Sequence, residues 1–123
     1  MRVRCIRIVN QITGQEVDQV CNDWLRKGEQ YVVLEVYVYV QTGNIFYRIK
    51  MDIGSPPLFS ADQFLVIDGT MPPNWQLFYE ENNVMILRPK SWHEPAFWED
   101  YFDGVQSAED MFEKEHVTIL SNS

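Results

Sequence analysis

Between residues 31 and 40 the chain alternates with a period of two. Val32, Leu34, Val36, Val38 and Val40 share one face, and Tyr31, Val33, Glu35, Tyr37 and Tyr39 share the other. β-branched and aromatic residues suit a pleated, half-buried surface, so the pattern predicts a strand. Thr42, Gly43 and Asn44 follow as a turn, because Gly and Asn tolerate positive φ. The return strand over 45–51 sets Ile45, Tyr47, Ile49 and Met51 against Phe46, Arg48 and Lys50. Residues 2–9 carry the same period with a fault in its phase. A bulge near Cys5 and Ile6 would bring both apolar pairs, Val3 with Cys5 and Ile6 with Ile8, to the core. Residues 14–30 read as a polar loop anchored by Val17, Val20, Trp24 and Leu25. Residues 64–67 form a short strand, and 75–79 with 84–87 a second hairpin about the 80–83 turn. Breaker residues fill 52–57, and Pro89 ends the strand pattern.

Beyond Pro89 the period becomes helical. Ser91 and Glu94 have capping-box spacing, and Pro95 suits a first helical turn. Phe97, Trp98, Tyr101 and Phe102 make one stripe, with Glu99, Asp100 and Asp103 away from it. Gly104 stops this helix. A second short helix starts at Ser107 and Asp110, with Ala108, Met111 and Phe112 inward. Residues 117–120 are either a last edge strand or a tail. Strands first and helices last predict an α+β fold, mostly antiparallel β followed by two short C-terminal helices. The expected organisation is a single domain over 1–123, with a β-rich body at 1–90 and an acidic helical segment at 91–123. A chain of 123 residues can bury a core without metal or disulfide support. In strand rhythm, residues 3–67 resemble an SH3-like barrel, which implies a partly open barrel.

Charge is unevenly placed. The last 33 residues hold Glu94, Glu99, Asp100, Asp103, Glu109, Asp110, Glu113 and Glu115 against Lys114, a net of −7 within the chain's −8. Such an end attracts cationic partners and repels polyanions. Arg2, Arg4, Arg7, Arg48 and Lys50 therefore read as guards of edge strands, not as a nucleic-acid surface. Phosphate-loop, dinucleotide, nucleophile-elbow and zinc-protease motifs are missing from the sequence, and the Cys and His lack metal spacing. No cofactor, metal or catalytic residue is assigned. His93 reads as a surface or capping residue, and His116 as one favoured by a helix C-terminus. Asp52, Asp62 and Asp68 read as turn formers. No apolar run approaches the ~20 residues of a membrane helix, and Glu35 interrupts the longest. The opening MRVRCIRIVN lacks a secretory h-region, so a cytoplasmic protein with two reduced thiols is expected. Cys5 and Cys21 could still form one bridge.

The segment WHEPAFWEDYFD at 92–103, with the acidic stretch after it, resembles the immunity proteins of bacterial polymorphic-toxin and contact-dependent inhibition systems. That resemblance implies a small non-enzymatic inhibitor, a monomer or weak dimer, that binds a cognate toxin, commonly a basic nuclease. It carries no residue roles of its own. On physical grounds Glu94, Glu99, Asp100, Asp103, Glu109 and Asp110 are expected to face the partner, with Trp98 as an apolar anchor. The alternative is a non-catalytic SH3-like adaptor module whose groove is lined by Tyr31, Tyr37, Tyr39 and Tyr47.

Overall fold

A computed structural model describes residues 1–10, 12–17, 25–52 and 54–123. Its strands are β1 Arg2–Cys5, β2 Gln30–Tyr39, β3 Asn44–Ile49, β4 Leu58–Ser60, β5 Phe64–Asp68, β6 Trp75–Glu80 and β7 Val84–Pro89. Two helices follow, α1 Phe97–Phe102 and α2 Gln106–Ser121, and 3-10 turns occupy Ala61–Gln63 and Lys90–His93. All pairings between these strands are antiparallel, so the chain is α+β, as its periodicity predicts.

Five strands lie in the order β4-β3-β2-β1-β5, and the β6–β7 hairpin joins the sheet through β7 and β2. β2 is the hub. Its start pairs with β1, its end pairs with β7, and β3 runs along its other edge. The path does not close on itself, leaving a partly open sheet. Because β1 lies between β2 and β5, and β3 between β2 and β4, neither is an edge strand. The edge-guard reading of Arg2, Arg4 and Arg48 is thereby corrected. Arg4 is solvent-exposed on an inner strand, and Arg48 is buried.

Two breaks in strand phase decide what is buried. After β1, the Ile6 and Arg7 amides both donate to the Gln63 carbonyl, at 2.8 and 3.3 Å. Two residues thus oppose one, close to the expected bulge. The result differs from expectation in one residue: Val3, Cys5 and Ile8 are buried, but Ile6 is 42% exposed. The second break is in β2. Val33 lies opposite Ile49 and Glu35 opposite Arg48, so Leu34 is an extra residue. Strict alternation would send Leu34 and Glu35 to opposite faces. With the bulge, both reach the C-terminal helices: Leu34 lines a cavity with Tyr101 and Phe112, and Glu35 bonds to Trp98. Val33, Leu34, Glu35 and Val36 are consequently all buried.

The body's core gathers Val3, Cys5, Leu25, Val33 and Ile49 with a ring cluster of Tyr47, Phe59 and Phe64. The buried Cys5 sulfhydryl donates to the Arg7 carbonyl, and burial pushes its pKa up. Val20, Cys21 and Trp24 lie outside the described residues, and with them the question of a bridge.

The C-terminal segment departs from its predicted boundaries for identifiable reasons. Pro95 keeps Glu94 extended, at ψ 140°, so the Ser91–Glu94 capping box is not formed and α1 begins only at Phe97. The stop is as expected. Gly104 takes φ +76°, its amide donates to the Tyr101 carbonyl, and Val105 donates to Asp100, a Schellman closure. α2 is not short. It runs through residues 117–120, because no Gly or Pro interrupts it and Ala108, Phe112 and Ile119 keep one face buried. Among the described residues, no helix is long and apolar enough to cross a membrane.

Candidate protein-binding surface

A carboxylate inside a sheet must be paired or neutralised. Glu35 is fully buried and is held from three sides. Arg48 Nε donates to its Oε1 at 2.7 Å, and Trp98 Nε1 donates to Oε2 at 3.1 Å. Arg88 Nε stands 2.8 Å from Oε2 as an ion pair, off the axis of a hydrogen bond. Arg48 also donates to the Pro56 carbonyl and stacks on the Trp98 ring at 4.0 Å. The Tyr37 hydroxyl accepts from both arginines, and burial first, then the Glu35 charge, pushes its pKa up. Arg88 Nη1 lies 3.3 Å from His93 Nδ1. With that nitrogen accepting, the imidazole proton sits on Nε2, which faces Glu80 Oε1 at 3.3 Å. The His93 ring stacks on Phe78 at 3.8 Å. His93 is thus a tie between the sheet and the C-terminal segment.

Over this network lies an aromatic platform. Trp92 is fully buried, parallel to Phe112 at 5.1 Å and to Phe97 at 6.0 Å, with its indole donating to the Met111 carbonyl. Tyr101 stacks on Phe112 at 4.5 Å, and Trp98 meets Trp92 edge-on. These rings fix α1 and α2 to each other and to β2. Trp98 is half-buried, with its N–H spent on Glu35. The most exposed ring on α1 is Phe102, at 51%, followed in the chain by the exposed Val105.

The six acids predicted to face a partner are all exposed: Glu94, Glu99, Asp100, Asp103, Glu109 and Asp110. None takes part in an ion pair among the described residues. Asp110 accepts a hydrogen bond from Gln106, its neighbour on α2. Glu99 and Asp103 are four apart on α1, where like charges repel, and Asp103 caps a helix C-terminus, where the dipole disfavours an acid. The helix dipole favours Glu99, Asp100 and Glu109, which lie in first turns, so local stability accounts for only part of this set. The four tyrosines of the adaptor reading are dispersed. Tyr47 is in the core, Tyr37 is held by the arginines, Tyr31 accepts from the Arg26 amide, and Tyr39 is exposed. Among the described residues, no group of His, Cys, Asp and Glu could hold a metal ion.

His116 differs from its expected role, because α2 continues past it to Ser121. Its ring stacks on Phe112 at 4.9 Å and borders a cavity of about 170 Å3 with Leu34, Lys50 and Tyr101. Neither ring nitrogen has a hydrogen-bond partner among the described residues, and Glu113 Oε2 stands 3.6 Å from Nδ1. Burial lowers its pKa, Glu113 opposes that shift, and Lys50 adds to it. A histidine whose folded pKa lies below its unfolded value takes up its proton more readily when unfolded. Its contribution to stability is complete above the unfolded value of 6.5 and declines as pH falls below it. We expect urea unfolding to show less acid destabilisation in His116→Phe than in the wild type between pH 7.5 and 5.5.

Glu35, Arg48 and Arg88 were not singled out as a unit by sequence. The available signal was the one carboxylate in an otherwise apolar and aromatic strand. Searches against protein-family models, curated proteins and solved structures find no match to this chain.

Proposed function

We propose that this chain is a non-catalytic inhibitor that captures a cationic protein on the acidic face of its C-terminal segment, as immunity proteins capture their cognate toxins. The observation that carries this reading is an imbalance of pairing. Arg48 and Arg88 are committed to Glu35, while the six outward carboxylates have no cation of their own among the described residues. Phe102 and Val105 offer exposed apolar surface beside those acids. An apolar centre with a charged rim is the usual anatomy of a protein interface. A toxin domain that cleaves nucleic acid has a cationic surface for phosphates, and this face would occupy it. Clustered carboxylates would also steer the encounter and raise the association rate. The site of action is the cytoplasm.

The test is charge reversal on α1. Asp100→Lys with Asp103→Lys is expected to slow association with the toxin by roughly tenfold and to flatten its salt dependence. Both positions are exposed, so the unfolding midpoint should remain close to wild type. Stopped-flow association at low and high salt reads the effect. An unchanged rate and salt slope would remove the electrostatic account.

A further inference from the structure

A second acidic feature lies on the body, where the end of β2 meets the β6–β7 turn. A groove of about 570 Å3 opens there, lined by Tyr37, Tyr39, Glu80, Glu81, Val84 and Ile86. Its walls differ in chemistry. Val84 and Ile86 are buried apolar residues, Tyr39 shows 39% of its surface, and Glu81 is exposed with no ion pair among the described residues. The Tyr39 ring is held edge-on against Phe46 at 5.5 Å. The turn is fixed by Asn83, at φ 62°, whose amide donates to the Glu80 carbonyl. The Glu80 carboxylate stands 3.3 Å from the Nε2 of His93, and that histidine directly precedes Glu94 in the chain.

We infer that this groove receives a lysine or arginine side chain of the protein partner. A long cationic side chain needs an apolar bed for its methylenes, an aromatic wall, and a carboxylate for its head group. Val84 with Ile86, Tyr39, and Glu81 supply these in turn. Arg48 and Arg88, which donate to the hydroxyl of the groove residue Tyr37, are already paired with Glu35. Through His93 and Glu94 the groove adjoins the acidic segment, so one cationic partner could span both. The inference deepens the proposed function and rests on the same cationic chemistry, but it concerns separate residues.

N-acetyl-arginine amide is the probe, titrated into isotope-labelled protein and followed by amide shifts. Saturable shifts are expected at Tyr39, Glu81, Asn82 and Val84, with half-saturation in the millimolar range. The neutral isostere N-acetyl-citrulline amide should not produce them. Glu81→Lys should weaken the arginine response by about tenfold, and Tyr39→Ala should weaken it several-fold. Asp100→Lys with Asp103→Lys should leave the response intact, which separates this site from α1. Equal shifts with citrulline, an undiminished response in Glu81→Lys, or shifts confined to residues 94–110 would each overturn the inference. In the last case the acidic helical surface would still stand as the partner site.

Discussion

Glu35→Gln is expected to destabilise the fold by about 3–5 kcal/mol, because it leaves two buried guanidiniums facing a neutral amide. Arg48 and Arg88 are 6% and 7% exposed, so water cannot readily solvate either of them in place. The loss reaches beyond β2. Trp98 would give up its strongest acceptor, and the Arg48 that stacks on its ring would be free to shift. Chemical denaturation followed by tryptophan fluorescence measures both effects. A companion variant separates charge imbalance from packing. Glu35→Leu combined with Arg48→Met and Arg88→Met removes every member of the triad and should recover most of the lost stability. Glu35→Gln unfolding at the wild-type midpoint would show that the triad is not what holds this region.

Trp92→Ala should cost a similar amount, about 3–5 kcal/mol, through the cavity left by a fully buried indole. The location of the damage is the more informative part. Trp92 touches Phe97 on α1 and Phe112 on α2, and its N–H bonds to the Met111 carbonyl. Hydrogen exchange should therefore accelerate across α1 and α2, while the paired centre of β2 and β3 retains more of its protection. Binding through the helix acids should weaken as well, although no carboxylate has been altered. Uniformly faster exchange over sheet and helices would mean that the two parts unfold as one unit.

The elements with strong periodicity were legible in the sequence, and the exceptions have physical causes. Alternation over 31–40 and 45–51 located β2 and β3, and Gly104 located the end of α1. Alternation could not reveal the extra residue at Leu34, since a bulge is settled by pairing between strands and not by either strand alone. That single shift turns Glu35 toward the helices and explains why a charge interrupts an apolar run. Ser91 and Glu94 had the spacing of a cap, but the conformational demand of Pro95 on Glu94 overrode it. α2 was underestimated because the β-branched Val117, Thr118 and Ile119 favour a strand locally, whereas burial of Ile119 against the core keeps them helical. The acids were legible as a charge asymmetry. The exposure of Glu94, Glu99, Asp100, Asp103, Glu109 and Asp110 was not, because it depends on which face of each helix the aromatic platform covers. Trp98 was expected at a partner's surface, and the structure gives its indole N–H to Glu35.

If this chain is an immunity protein, as proposed, a reading frame beside it encodes a toxin domain, and the most direct measurement is growth of cells that express that domain. The wild-type chain should restore growth. A variant carrying Glu99→Lys, Asp100→Lys and Asp103→Lys should not, while unfolding at nearly the same midpoint. Failure of the wild type to protect, or full protection by the lysine variant, would contradict the account.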